Sequence, residues 1–363
     1  MVTREERVLR TIHHDTIDYL PSNIYFASHE KKLSLMETFH FTSTTDFDDF
    51  LENHLYLTSP MDDTFRFRGD HDFLREAEKT VFAKVDWGNG ILYDRWGIGY
   101  DIYTDGLCIR HHPLRGKSNR EIENYQTPNL DEPGNLALIE QDIKKYSGDY
   151  LVVLVGYFGI FERAWGLLGY EEFMMNMLLE PKLMEGYLDK ITQYKIDYAK
   201  LTVKLGCKVG HTGDDFGSQK GLMFSKDLWV KFFKPRLAQV WKVYKDAGLP
   251  VMHHTCGNVT EIIGDMIDIG LDVLEPVQKV MDFSYLKKEF GKHLTFWGGI
   301  GTQDILPFGS PQDVKKMAGK VIETLGKGGG MIIAPDQEIM ADVPPENVVA
   351  LVETIKEKRV SVL

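Results

Sequence analysis

The C-terminal two thirds of this chain alternates short apolar runs with longer amphipathic stretches, and that alternation leaves few folds open. The runs lie at 150–156, 208–212, 250–254, 272–275, 295–298 and 330–334. Val, Ile and Leu dominate several of them without strict alternation, the pattern of parallel strands buried on both faces. Helix punctuation separates the runs. Ser310-Pro311-Gln312-Asp313 offers an N-cap, a first-turn proline and an early acid, and Val314, Met317, Ala318, Val321, Ile322 and Leu325 follow at helical spacing. Ser225 opens another helix, inside which Pro235 predicts a kink, and Pro345 starts the last one.

Repeated strand–helix units mean a doubly wound sheet or a (β/α)8 barrel. No Gly-x-Gly-x-x-Gly follows a strand, which weakens the dinucleotide-binding version. The expectation is an α/β protein: a (β/α)8 TIM barrel in one domain over 1–363, with an elaborated part at 1–145 and regular units at 146–358. Residues 20–26 supply its first strand. A β-ribbon insertion is expected over 80–113, where Asn89-Gly90 and Asp105-Gly106 are hairpin signals.

Composition excludes several functions. With 43% hydrophobic and 26% charged residues the chain is not disordered. A net charge of −12 disfavours nucleic-acid and anionic-membrane binding, and no apolar run is long enough to span a bilayer. The N-terminus has no signal-peptide core, and three cysteines, Cys108, Cys207 and Cys256, are too few for a disulfide framework. A cytoplasmic protein is expected, and its oligomeric state, a homodimer included, is left open.

In a barrel the chemistry sits at the C-terminal strand ends. Five of the runs lead there into polar or glycine-rich stretches. His254-x-Cys256 is the sharpest, because imidazole nitrogen and thiolate are good zinc ligands. Its bland alternative is a packed histidine beside a small buried thiol. Glu275, at the next strand end, supplies a third metal ligand, with Asp336 or Glu338 as alternatives. Asp214 and Asp215 are candidates for acid–base work or for orienting a ligand, against helix capping. Gly298 and Gly299 are expected to approach a cofactor. Asn23, Tyr157, Phe216 and Gln278 are expected to contact substrate, although core packing competes for the aromatics. His211 and His253 are expected inside the barrel or below the site.

Five stretches, GDDFGSQKGLMFSKDLWVKFFKPRL, VMHHTCGN, LDVLEPVQ, FWGGIGTQDILPFGSPQDV and IIAPDQEIMADVPPENV, together resemble the uroporphyrinogen decarboxylase superfamily, in particular its cobalamin-dependent methyltransferase branch. The resemblance implies a barrel, zinc held by His254 and Cys256, and a partner corrinoid protein that exchanges methyl groups with a small methylated substrate. The branch's third ligand, a cysteine near the last strand, is absent from Pro335-Asp336-Gln337-Glu338, and similarity to cobalamin-independent methionine synthase places Glu275 in that role. The arginine-rich segment with which the decarboxylases grip substrate is replaced by Ser22-Asn23-Ile24-Tyr25. The implied activity is a corrinoid-dependent demethylase, with an aromatic methyl ether as first substrate. A decarboxylase or lyase, and a non-catalytic corrinoid or small-molecule binder, remain as alternatives.

Overall fold

The six apolar runs form strands. The computed structural model describes residues 2–27, 29–60, 71, 74–75, 78–79, 84–104, 108–132 and 134–360. Its strands are β1 (Leu55–Thr58), β2 (Lys84–Asp86), β3 (Ile91–Tyr93), β4 (Gly99–Asp101), β5 (Ile109–His111), β6 (Leu151–Leu154), β7 (Gly210–Gly213), β8 (Gly217–Ser218), β9 (Gly221–Leu222), β10 (Val251–His254), β11 (Val273–Val277), β12 (Thr295–Ile300) and β13 (Met331–Pro335).

The fold is α/β with parallel sheets. β1 pairs with β6, and β13-β12-β11-β10-β7 form a second sheet in that order. The Gly213 amide donates to the Gly156 carbonyl at 2.9 Å, joining the chain beyond β6 to β7. Ser22 bridges both Asn53, ahead of β1, and Ile333 of β13. Segment 20–26 therefore pairs only at isolated positions instead of forming a full strand. β1, which lies in the irregular first part of the sequence, was not anticipated.

Helices follow the strands. β6 leads to Ile160–Leu168, β10 to Ile263–Asp268, β11 to Phe283–Phe290, β12 to Pro311–Leu325 and β13 to Pro345–Lys358. After β7 the chain makes two helices, Lys226–Phe232 and Lys234–Asp246. Pro235 is a correction here. It sits in the first turn of the second helix, where its missing N–H costs no hydrogen bond, and so it starts a helix instead of kinking one.

Two apolar clusters explain the unalternating strands. One lies between strands and helices; the other combines Val153, Val209, Met252, Val273, Trp297 and Ile332 with Val8 and Ile12 of the helix Arg4–Ile12. The ribbon β2-β3-β4-β5 is antiparallel, with Asn89-Gly90 turning between its first two strands; 80–83 and the Asp105-Gly106 turn lie outside the described residues. No helix among the described residues is long and apolar enough to cross a membrane.

Candidate metal centre

Two adjacent strands, β7 and β10, end at the same level. In register His254 lies opposite Gly213, and opposite Glu275 on the other side. The backbones then touch: a Cβ on Gly217 would stand 2.5 Å from the Cys256 carbonyl oxygen, so only glycine fits there. This approach brings Asp215 to the His254-x-Cys256 turn. The Cys256 amide donates to Asp215 Oδ1 at 2.7 Å. His254 Nε2 lies 3.4 Å from Cys256 Sγ and 3.6 Å from Asp215 Oδ1. The ligand atoms of Asp215, His254 and Cys256 all fall within 4.8 Å of one another. One ion with bonds of ~2.0–2.3 Å can touch all three, and N, S and O donors suit zinc.

Glu275 takes a different place from the one expected. Its Oε2 accepts from His254 Nδ1 at 2.9 Å, on the ring edge opposite Nε2, and lies 3.5 Å from His211 Nε2. Tyr25 donates its hydroxyl to Oε1 at 3.2 Å. The carboxylate thus stands behind the histidine and fixes its tautomer, leaving Nε2 for an ion. Asp215 stands in front, where Glu275 was expected. Tyr157 lies edge-on to both His211 and His254, each at 5.1 Å between ring centroids.

Other expected residues make contacts within the scaffold. Asp214 accepts the amides of Ile160, Phe161 and Glu162 at 2.7, 2.8 and 2.8 Å, and so caps the helix Ile160–Leu168. Asp214→Ala strips three amides of their acceptor and is expected to cost about 1–2 kcal/mol in urea unfolding, with Asp214→Asn milder. Gly298 and Gly299 have φ of +118° and +98°, and a Cβ on Gly299 would stand 2.7 Å from Val321. Backbone shape and helix packing require glycine there.

Phe216 is buried among Phe161, Phe224, Trp229 and Phe233. Gln278 accepts the Gly257 amide at 2.6 Å and so holds the turn after Cys256. Asp336 is absorbed by the amide and hydroxyl of Thr302, and neither it nor Glu338 joins the trio. His253 packs outward against Trp241 instead of inward. Asn23 is buried, and its Oδ1 has no hydrogen-bond partner among the described residues. Tyr25, two residues on, escaped the sequence reading; the period of two along an extended segment is the signal that pairs it with Asn23.

A protein-family model for uroporphyrinogen decarboxylase matches residues 92–358. The chain belongs to this family. Relatives within reach carry two different activities in their names. The methylcobamide:CoM methyltransferase MtaA of Methanosarcina barkeri is 28% identical over 58% of this chain, which spans 59% of that enzyme's length. A uroporphyrinogen decarboxylase of Chlorobium phaeobacteroides is 22% identical over 74% of this chain and 78% of its own. A solved methyltransferase from Methanosarcina mazei shares the fold, with a TM-score of 0.69 at 22% identity over 98% of this chain and 99% of its own.

Charge inside this family member's centre is tightly coupled. Burial alone would raise the Glu275 carboxyl, but the His254 and His211 rings overcome it and hold the group well below the usual carboxylate range. Burial opposes protonation of His254, yet the Glu275 carboxylate prevails and raises it well above an ordinary imidazole. Burial pushes the Cys256 thiol up to about 11, against the pull of His254. Cys256 therefore holds its proton at neutral pH, and His254 is biased toward protonation. An ion must expel the thiol proton and the Nε2 proton. Zinc affinity is expected to climb with pH by about 10-fold per unit for each proton released, approaching about 100-fold. Chelator competition between about pH 6 and 8 measures this, and a flat profile refutes the coupling.

Proposed function

We propose that this chain is a zinc-dependent methyltransferase that moves a methyl group from a small methylated donor to the cobalamin of a partner corrinoid protein. The observation that carries the proposal is the Asp215–His254–Cys256 trio with Glu275 behind the histidine. Three protein ligands leave a fourth position open, the arrangement of a catalytic site. The methyltransferase relative, whose printed name includes methylcobamide, supports the corrinoid partner. The bridges from Ser22 to Asn53 and Ile333, with the Gly213–Gly156 bond, support a parallel ring closed as a (β/α)8 barrel with the trio at its mouth. A thiol ligand persists best in a reducing compartment, which fits the cytoplasm.

The donor class follows from the ligands. A single thiolate and a carboxylate donate less charge than two thiolates, so this centre favours oxygen over sulfur as its fourth partner. A zinc ion bound there supplies Lewis-acid stabilisation to negative charge on that oxygen. The new cobalt–carbon bond would take its electron pair from the partner's cob(I)alamin. The carbon–oxygen pair would stay with oxygen, which takes a proton from solvent and leaves as an alcohol or phenol. Phenolate departs most readily, since phenol ionises near ~10, and an aromatic methyl ether is the donor proposed. Glu275 holds the His254 ring in place, and the Tyr157 ring packs against it.

Decarboxylase activity is disfavoured because Ser22-Asn23-Ile24-Tyr25 offers no cation where the decarboxylases carry arginines. A polyacidic tetrapyrrole would lack those counter-charges. The test is spectroscopic: zinc-loaded protein is mixed anaerobically with cob(I)alamin and a panel of methoxylated aromatics and methylamines. Methylcobalamin from a methoxylated aromatic is expected. None from any donor, with carbon dioxide released from a carboxylated tetrapyrrole, overturns the proposal.

A further inference from the structure

Gln337 makes a contact that the proposed function leaves unused: its Nε2 lies 2.8 Å from Cys256 Sγ. The contact is built, not incidental. On one side of Gln337, Asp336 is tied by its amide to the Ile300 carbonyl and by its carboxylate to Thr302. Its carbonyl also accepts from Gln278 at 3.4 Å, the same side chain that holds the Gly257 amide. On the other side, the Ile339 amide donates to the Tyr25 carbonyl at 2.9 Å. With both flanks pinned, the side chain between them is aimed at the sulfur. Its amide nitrogen carries two hydrogens and no free lone pair, so it donates to sulfur and cannot itself bind an ion.

We propose that Gln337 is a positioning residue whose N–H bond to the Cys256 sulfur weakens electron donation from that thiolate to a bound ion and so sets the centre for an oxygen leaving group instead of a thiol. The oxygen half of the statement rests on the proposed function; the sulfur half stands on the contact alone. A hydrogen bond to a thiolate draws charge from sulfur toward the donor. The ion then keeps more positive charge for its open position. Groups beyond the ligands tune metal sites in this way, and their loss changes affinity or activity by about 10–100-fold. The same segment carries a third thiolate in the methyltransferase branch that the sequence resembles. Here it weakens the one thiolate present.

The experiment uses the full chain loaded with Co2+ alone. Sulfur-to-cobalt charge transfer gives a near-ultraviolet band whose energy falls as sulfur becomes a better donor. Gln337→Leu and Gln337→Met both remove the N–H with little change in volume, so failure of one to fold leaves the other. Both are expected to move the band to lower energy. In the zinc-loaded protein, both are expected to lower methyl transfer from a methoxylated aromatic about 10-fold relative to transfer from a methyl thioether. An unmoved band in both variants, or no charge-transfer band in the wild-type chain, overturns the inference. A shifted band without methylcobalamin from any donor upholds the bond to sulfur and removes the proposed function. Methylcobalamin formation with an unmoved band does the reverse.

Discussion

Cys256→Ala is expected to abolish stoichiometric zinc binding and methyl transfer while leaving the fold intact. Cys256 is the one thiolate of the trio, and without it His254 Nε2 and Asp215 Oδ1 are the remaining donors. Losing a zinc–thiolate bond costs several kcal/mol. About 4 kcal/mol already lowers affinity on the order of 1000-fold, enough to empty the site at micromolar zinc. The scaffold does not depend on that bond. The strands on either side are buried throughout β7 and β11, and the Cys256 amide keeps its bond to Asp215 in the alanine variant. Unfolding free energy in urea is expected to change by no more than about 1 kcal/mol. Glu275→Gln is the graded companion. It keeps the shape behind His254 but not the charge, and a loss of about 10–100-fold in zinc affinity is expected. Metal analysis after dialysis decides the matter. Full zinc retention by the alanine variant refutes the trio, and cooperative unfolding on metal removal refutes the independence of the fold.

The sequence showed the strand–helix alternation because burial on both faces writes itself into apolar runs such as Val152-Val153-Leu154 and Ile332-Ile333-Ala334. β1 was hidden because Leu-Tyr-Leu-Thr at 55–58 is short and stands among irregular neighbours. The chemistry was legible as residue types at strand ends, not as directions. Asp214 and Asp215 are consecutive carboxylates after one strand, yet the first turns to the amides of residues 160–162 and the second to His254. Composition cannot separate them, because the direction is set by the turn that Gly213 and Gly217 permit. Glu275 was expected as a metal ligand beside His254; the pairing of β10 with β11 sets the two side by side, and the carboxylate meets the His254 Nδ1 edge. Gln337 is not legible in the sequence, because a hydrogen-bond donor to sulfur leaves no mark of its own there.

Asp94→Ala is expected to destabilise the protein by about 3–5 kcal/mol, the largest effect on folding expected from any one side chain discussed. The Asp94 side chain is completely buried. It accepts from the amides of Trp96 and Ile98, the Tyr100 hydroxyl and the Arg163 guanidinium, all at 2.8–3.0 Å. Arg163 is 2% exposed and lies over the Trp96 and Phe158 rings at 4.6 and 5.1 Å. This one carboxylate ties the ribbon to the helix Ile160–Leu168, the same helix that Asp214 caps. Alanine would leave the guanidinium charged, desolvated and without this acid, and removing one partner of a buried pair costs far more than the pair contributes. Removing both charges separates these terms. Asp94→Leu combined with Arg163→Met is expected to recover a large part of the loss, because two apolar side chains need no counter-ion. Urea unfolding of the two single variants and the double variant measures the coupling. Additive losses, with the double variant as unstable as the sum of the singles, would mean that the ion pair does not hold the ribbon in place.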